Sequence, residues 1–92
     1  MENLDSLRQK LDIIDKQMAE LFEKRMEIIE NVRVYKKQNN FPIYDAKRES
    51  SMLDKNSKYI QNGEILPYYE IFLNGVTGAS KQYMKDKNLI NN

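Results

Sequence analysis

The sequence predicts an all-α fold with three helices per chain, one long and two shorter. Apolar residues recur at alternating spacings of three and four along the first third of the chain, which contains no Gly or Pro. Turn residues divide the remainder into two shorter stretches with helical periodicity, and no window has the alternation typical of a strand. All 92 residues are expected to form one domain, 1–92.

The first helix is predicted over residues 4–38, with Asn3 or Asp5 near its start and Asn39-Asn40 at its end. At 1.5 Å per residue it would be roughly 50 Å long. A compact chain of this size has a radius of gyration of about 12 Å, so one chain cannot cover this helix. The helix therefore predicts an intertwined antiparallel homodimer with two equivalent sites. Its seam positions are Leu4, Leu7, Leu11, Ile14, Met18, Leu21, Arg25, Ile28, Val32 and Tyr35.

The second helix is predicted over residues 45–60, with Asp45 as its N-cap and Asn62-Gly63 after its end. The third is predicted over residues 65–85, with Pro67 in its first turn, where a missing N–H does little harm. Gly75 and Gly78 weaken this helix and are expected to mark a close approach of backbone. The polar residues after 85 are expected to fray.

Arg25 is the charged exception in the apolar seam. A guanidinium keeps its proton, and an unpaired buried charge is costly, so Arg25 needs an anion beside it, which a ligand can supply. Lys36 lies eleven residues further on and faces the same side of the helix. Arg8 is about 25 Å away along the same helix. In an antiparallel pair centred near residue 20, Arg8 of one chain would lie between Arg25 and Lys36 of the other.

Acidic and basic residues also meet at the start of the second helix, where Asp45, Arg48 and Glu49 stand close together. Taken one at a time, Asp45 is explained as a helix cap, Arg48 as a solvated side chain and Glu49 as a salt-bridge partner of Arg25. Taken together with Arg25 and Lys36, they indicate a cluster of charges around one small polar ligand.

Composition excludes several classes of function. The chain has no Cys and no His, which argues against thiol chemistry, the usual zinc sites and ordinary proton shuttling. Fifteen basic and fourteen acidic residues are interleaved, so neither nucleic acid nor a membrane surface is an expected partner. No apolar segment is long enough for a membrane span, and a soluble cytoplasmic protein is expected.

Three segments, LRQKLDIID, LFEKRMEIIENVRVYKK and FPIYDAKRESSML, resemble the all-helical chorismate mutases of the AroQ type. The resemblance is close over residues 4–53 and looser beyond. It implies an intertwined homodimer that rearranges chorismate to prephenate for phenylalanine and tyrosine synthesis, without cofactor or metal. It also implies that Arg25 and the other chain's Arg8 bind the substrate carboxylates, and that Lys36 donates to the ether oxygen of the breaking bond. Asp45, Arg48 and Glu49 would line the region of the substrate hydroxyl.

The third helix departs from the family pattern, which has a Ser followed four residues later by a Gln or Glu that donates to the ether oxygen. Ser80 fits, but the later position is Met84, whose thioether cannot donate. Gln82 would reach the pocket only if the helix were distorted near Gly75 and Gly78. The expected register therefore has Met84 in the substrate pocket and predicts a slower mutase than its relatives.

Three other functions compete with the mutase. Enzymes of the same fold eliminate pyruvate from isochorismate, although the block PIYDAKRE favours the mutase. A non-catalytic module that binds chorismate or prephenate, and docks on another pathway enzyme, is compatible with Met84. A plain coiled coil would not explain Arg25 in the seam with Lys36 in line above it.

Overall fold

A computed structural model describes residues 2–90, and in this range the chain has three α-helices and no strand. Helix α1 spans Leu4–Gln38, α2 spans Ala46–Ser57 and α3 spans Leu66–Ile90, with a 3₁₀ turn at Gly63–Ile65 leading into α3. The predicted all-α fold with three helices per chain is therefore confirmed. None of the described helices is long and apolar enough to cross a membrane.

Both ends of α1 are capped by asparagine. The Asn3 side chain accepts a hydrogen bond from the Ser6 N–H at 2.8 Å, which satisfies one free donor of the first turn. At the other end Asn40 adopts a positive φ of 59°. The Phe41 N–H then donates to the Lys36 carbonyl at 2.7 Å, and the Asn40 N–H donates to the Lys37 carbonyl at 3.3 Å. This pattern is a Schellman motif, and it turns the chain back along α1.

Helix α2 is shorter than the sequence predicts. It begins after Asp45, whose side chain caps it, but it ends at Ser57 rather than near residue 60. The Tyr59 and Ile60 N–H groups donate to the carbonyls of Asn56 and Ser57, three residues back, so the last residues form a tight turn. Local turn geometry therefore ends the helix before the apolar periodicity ends.

Helix α3 is longer than the sequence predicts and continues to Ile90 instead of fraying after residue 85. Asn88 accepts a hydrogen bond from Arg33 of α1 at 3.0 Å, and this contact ties the last turns to α1. The expectation of a close backbone approach at Gly75 and Gly78 is wrong within this chain, because a Cβ at either position would meet nothing within 4 Å.

The described chain is elongated, with dimensions of 56 × 26 × 15 Å and a radius of gyration of 16.6 Å. Helix α3 packs against both α1 and α2. Leu73 and Met84, both on α3, are the only buried apolar side chains in the part of the chain that the structure describes. Most of the α1 seam is exposed; its exposed residues are Leu4, Leu7, Leu11, Ile14, Met18, Leu21, Ile28 and Tyr35. One chain therefore leaves a long apolar face uncovered.

Candidate functional site

A pocket lies where α1, the start of α2 and the second half of α3 come together. Seven of the eight site residues predicted from the sequence line it: Arg25, Lys36, Asp45, Arg48, Glu49, Ser80 and Met84. The remaining lining residues are Ile29, Val32, Ile43, Met52, Thr77 and Lys81. Residues far apart in sequence therefore line one pocket.

Arg25 projects from α1 into this pocket and is partly buried. Its guanidinium donates to the Ser80 hydroxyl of α3, and its Nη2 lies 3.9 Å from the Met52 sulfur of α2. Burial lowers the pKa of Arg25 from its usual value, and repulsion from Arg48 lowers it further. None of the described carboxylates forms an ion pair with Arg25. A desolvated cation in this state is stabilised when an anion binds.

Lys36 lies in the last turn of α1, where the Schellman motif folds the chain back over it. Its Nζ donates to the Ile43 carbonyl at 2.9 Å, so one of its three hydrogens is used and the ammonium is held in a fixed place. Arg25 and Lys36 both line the pocket, as expected for residues eleven apart on one helix.

The start of α2 contributes the acidic side of the pocket. Asp45 caps the helix by accepting a hydrogen bond from the Arg48 N–H at 3.0 Å, and the Arg48 side chain is exposed at the pocket rim. Glu49 is paired with Lys81 of α3 at 3.0 Å, not with Arg25. The single-residue explanations therefore hold for the Asp45 cap and the exposed Arg48, and the proposed Glu49–Arg25 salt bridge is wrong.

Helix α3 presents Ser80 and Met84 to the pocket, and each side chain is only 4% exposed. The Ser80 hydroxyl donates to the Val76 carbonyl at 3.0 Å while it accepts from Arg25. Gln82 is exposed and donates to Asp86 at 2.9 Å. Because α3 is a continuous α-helix through this region, Met84 faces the pocket and Gln82 faces away from it.

Arg8, the eighth predicted residue, does not line the pocket of its own chain. It is exposed on α1, seventeen residues before Arg25, which corresponds to about 25 Å along the helix. The structure therefore does not bring Arg8 to Arg25 within one chain.

The charges around the pocket favour a small anion. Four cationic side chains and two carboxylates line it, which leaves two positive charges in excess. Apolar residues from α1, α2 and α3 form most of the rest of its wall, and a wall of low polarity strengthens the electrostatic contacts beside it. The pocket contains no thiol or imidazole, so its chemistry rests on fixed charge, hydrogen bonding and shape.

Two sets of residues in or near the site were not identified from the sequence. Lys81 lines the pocket, and its position three residues before Met84 on the same side of α3 was a usable signal. Arg33, only 8% exposed, forms a bidentate pair with Glu30 at 2.6 and 2.8 Å, and Glu30 also accepts from Tyr83 at 3.2 Å. Arg33 lies beside the seam, where a solvent-exposed charge is expected, so no sequence signal indicates that it is buried.

The Glu30–Arg33 pair lies within α1 and is joined to α3 by the hydrogen bonds from Tyr83 to Glu30 and from Arg33 to Asn88. Hydrogen bonding from Arg33 lowers the pKa of Glu30, and the same contact raises the pKa of Arg33. Burial raises the pKa of Tyr83, and the neighbouring Glu30 charge raises it further. These groups hold the segment of α3 that carries Met84.

Comparisons with known proteins give a consistent result. The model of the family described as chorismate mutase type II matches residues 7–85. The T-protein of Haemophilus influenzae is 42% identical over 53 residues, which cover 58% of this chain and 14% of that protein. The T-protein of Enterobacter agglomerans is 38% identical over 55 residues, covering 60% of this chain and 15% of that protein.

A third relative matches this chain over nearly its whole length. The chorismate mutase of Methanocaldococcus jannaschii is 25% identical over 91 residues, covering 94% of this chain and 92% of that protein. The chain therefore spans only a small part of the two T-proteins but almost all of the Methanocaldococcus jannaschii protein. Among solved structures there is no significant match.

Proposed function

This chain belongs to the chorismate mutase type II family, and from that premise we propose that it catalyses the Claisen rearrangement of chorismate to prephenate. The observation that carries the proposal is Arg25, a desolvated guanidinium that has no carboxylate partner among the described residues and opens into a pocket with excess positive charge. Chorismate is a dianion, and its carboxylates would supply the missing counter-charge.

The proposed mechanism uses orientation and fixed charge. The reaction breaks a C–O bond and forms a C–C bond within one molecule, so it requires no nucleophile or proton carrier. Arg25 and the Arg8 of a second chain would bind the two carboxylates and hold the enolpyruvyl arm over the ring. Lys36 would donate to the ether oxygen, where negative charge grows as the bond stretches, and would stabilise the transition state more than the ground state.

The acidic side of the pocket would bind the substrate hydroxyl. Glu49 has a buried oxygen that lacks a hydrogen-bond partner among the described residues, and such an oxygen favours a donor from a ligand. Asp45 would act largely through the backbone at the start of α2, with Arg48 and Ser80 lining the same pocket. Met84 would face the ether oxygen without donating to it, which predicts a slow enzyme.

The proposed active form is an intertwined antiparallel homodimer. Its support is the uncovered apolar face of α1 and the position of Arg8, which can serve a site only in another chain. Analytical ultracentrifugation at micromolar concentration is expected to give a dimer. A folded monomer at that concentration would contradict the dimer and, with it, the role of Arg8.

The test of the proposed reaction is product identification. Purified protein is incubated with chorismate, loss of substrate is followed, and the product is identified by NMR. Prephenate supports the mutase, whereas pyruvate released from isochorismate in a parallel reaction would support the lyase. Tight binding of chorismate with negligible turnover would favour a regulatory module, the second candidate that buried Met84 keeps open. A role in phenylalanine and tyrosine synthesis, a cytoplasmic location and independence of metals and cofactors remain predictions.

A further inference from the structure

Lys81 is a pocket residue to which the proposed mechanism gives no role. It lies on α3 between Ser80 and Met84, and its Nζ is 3.0 Å from Glu49 Oε1 of α2. The same ammonium stands 4.9 Å from the centre of the Tyr44 ring, in the segment that joins α1 to α2. Lys81 is thus held from two sides, by an ion pair and by an aromatic face.

The ion pair leaves the two oxygens of Glu49 in different environments. Oε1 contacts Lys81, whereas Oε2 is buried and has no hydrogen-bond partner among the described residues. A carboxylate accepts hydrogen bonds through both oxygens, and a buried oxygen without a donor is costly. Fixing Oε1 on Lys81 therefore fixes the direction in which Oε2 points and leaves it free to accept from a ligand.

We propose that Lys81 is a positioning residue that holds Glu49 so that its Oε2 accepts a hydrogen bond from the substrate hydroxyl. This inference rests on the proposed function. Lys81 acts through Glu49 and does not touch the reacting atoms.

A double-mutant cycle on chorismate turnover tests this role, using Lys81→Met, Glu49→Gln and the double variant. Lys81→Met removes the charge and keeps most of the side-chain length. We expect it to lower kcat/KM about tenfold, in the range for one charge-assisted hydrogen bond. In the Glu49→Gln background the same change should have little further effect. Lys81→Arg should restore part of the lost rate, and Lys85→Met, an exposed lysine one turn further along α3, serves as the matched control.

Two outcomes would overturn the proposal. Lys81→Met with wild-type kinetics would remove any role in the site. An equal loss of kcat/KM in the wild-type and Glu49→Gln backgrounds would mean that Lys81 acts independently of Glu49.

Thermal unfolding of the same four proteins without substrate separates this proposal from the proposed function. The ion pair predicts that the two single changes destabilise the protein non-additively, whether or not chorismate is turned over. Additive unfolding effects would overturn the inference. If the unfolding effects of the two changes are coupled but the wild type does not convert chorismate, the proposed reaction is overturned and the Lys81–Glu49 pairing stands.

Discussion

Replacing Met84 with Gln supplies the hydrogen-bond donor that the pocket lacks at this position. Met and Gln side chains have similar length, and Met84 is 4% exposed, so the new amide would lie inside the pocket rather than in solvent. Helix α3 is continuous through this region and keeps position 84 facing the pocket. The change therefore tests whether the ether oxygen of chorismate lies against position 84.

The magnitude follows from the value of one donor to a developing negative charge. Hydrogen bonds to charged groups contribute about 1.5–3 kcal/mol. Each 1.36 kcal/mol is tenfold in rate, so Met84→Gln should raise kcat by about tenfold to a hundredfold. In the protein without substrate the buried amide would lack a hydrogen-bond partner, which costs about 1–3 kcal/mol and should lower the unfolding temperature by about 5–15 °C. A faster but less stable enzyme is the expected result.

Steady-state assays of chorismate loss measure this prediction, with thermal unfolding of each variant alongside. Met84→Leu is the matched control, since it keeps the position apolar and should leave kcat near that of the wild type. An unchanged or reduced kcat in a folded Met84→Gln variant would refute the reasoning, because it would mean that position 84 does not face the ether oxygen or that another donor serves it.

Two further predictions concern the charges of α1. Lys36→Ala should lower kcat by about a hundredfold or more with a smaller effect on chorismate binding, as for other fixed donors that act in the transition state; steady-state kinetics and a binding titration separate the two effects. Arg33→Met should destabilise the protein at pH 7, measured by denaturant unfolding. Arg33 lowers the pKa of Glu30, so the stability from this pair is present above about pH 4.5 and is lost as the pH falls through the lower pKa of the folded state. The free energies of unfolding of the variant and the wild type should therefore converge in acid. A difference between them that does not change with pH would contradict this cause.

Much of the fold follows from local sequence signals. The long periodic run and its asparagine caps are sufficient to predict α1, because its hydrogen bonds and its capping are local. The ends of α2 and α3 depend on features that the apolar periodicity does not contain. A tight turn ends α2 at Ser57, and the Arg33–Asn88 hydrogen bond extends α3 to Ile90.

The pocket could be predicted in part for the same reason. Arg25 and Lys36 share one face of a regular helix, so their convergence follows from helical geometry alone. The partner of Glu49 does not follow from helical geometry, since its pairing with Lys81 depends on the relative positions of α2 and α3. From the sequence alone, a charged residue beside the seam, such as Arg33, is expected to be exposed to solvent. Arg33 is buried by tertiary packing, which the sequence pattern does not contain.

The central claim is that a dimer of this chain forms sites in which Arg8 of one chain and Lys36 of the other act on the same chorismate molecule. Mixing two inactive variants, Arg8→Ala and Lys36→Ala, after mild unfolding and joint refolding tests it directly. Random pairing of equal amounts makes about half of the dimers mixed, and half of the sites in each mixed dimer would carry both native residues. About a quarter of the wild-type rate of prephenate formation should therefore return. A mixture no more active than its two components would contradict a site shared between chains.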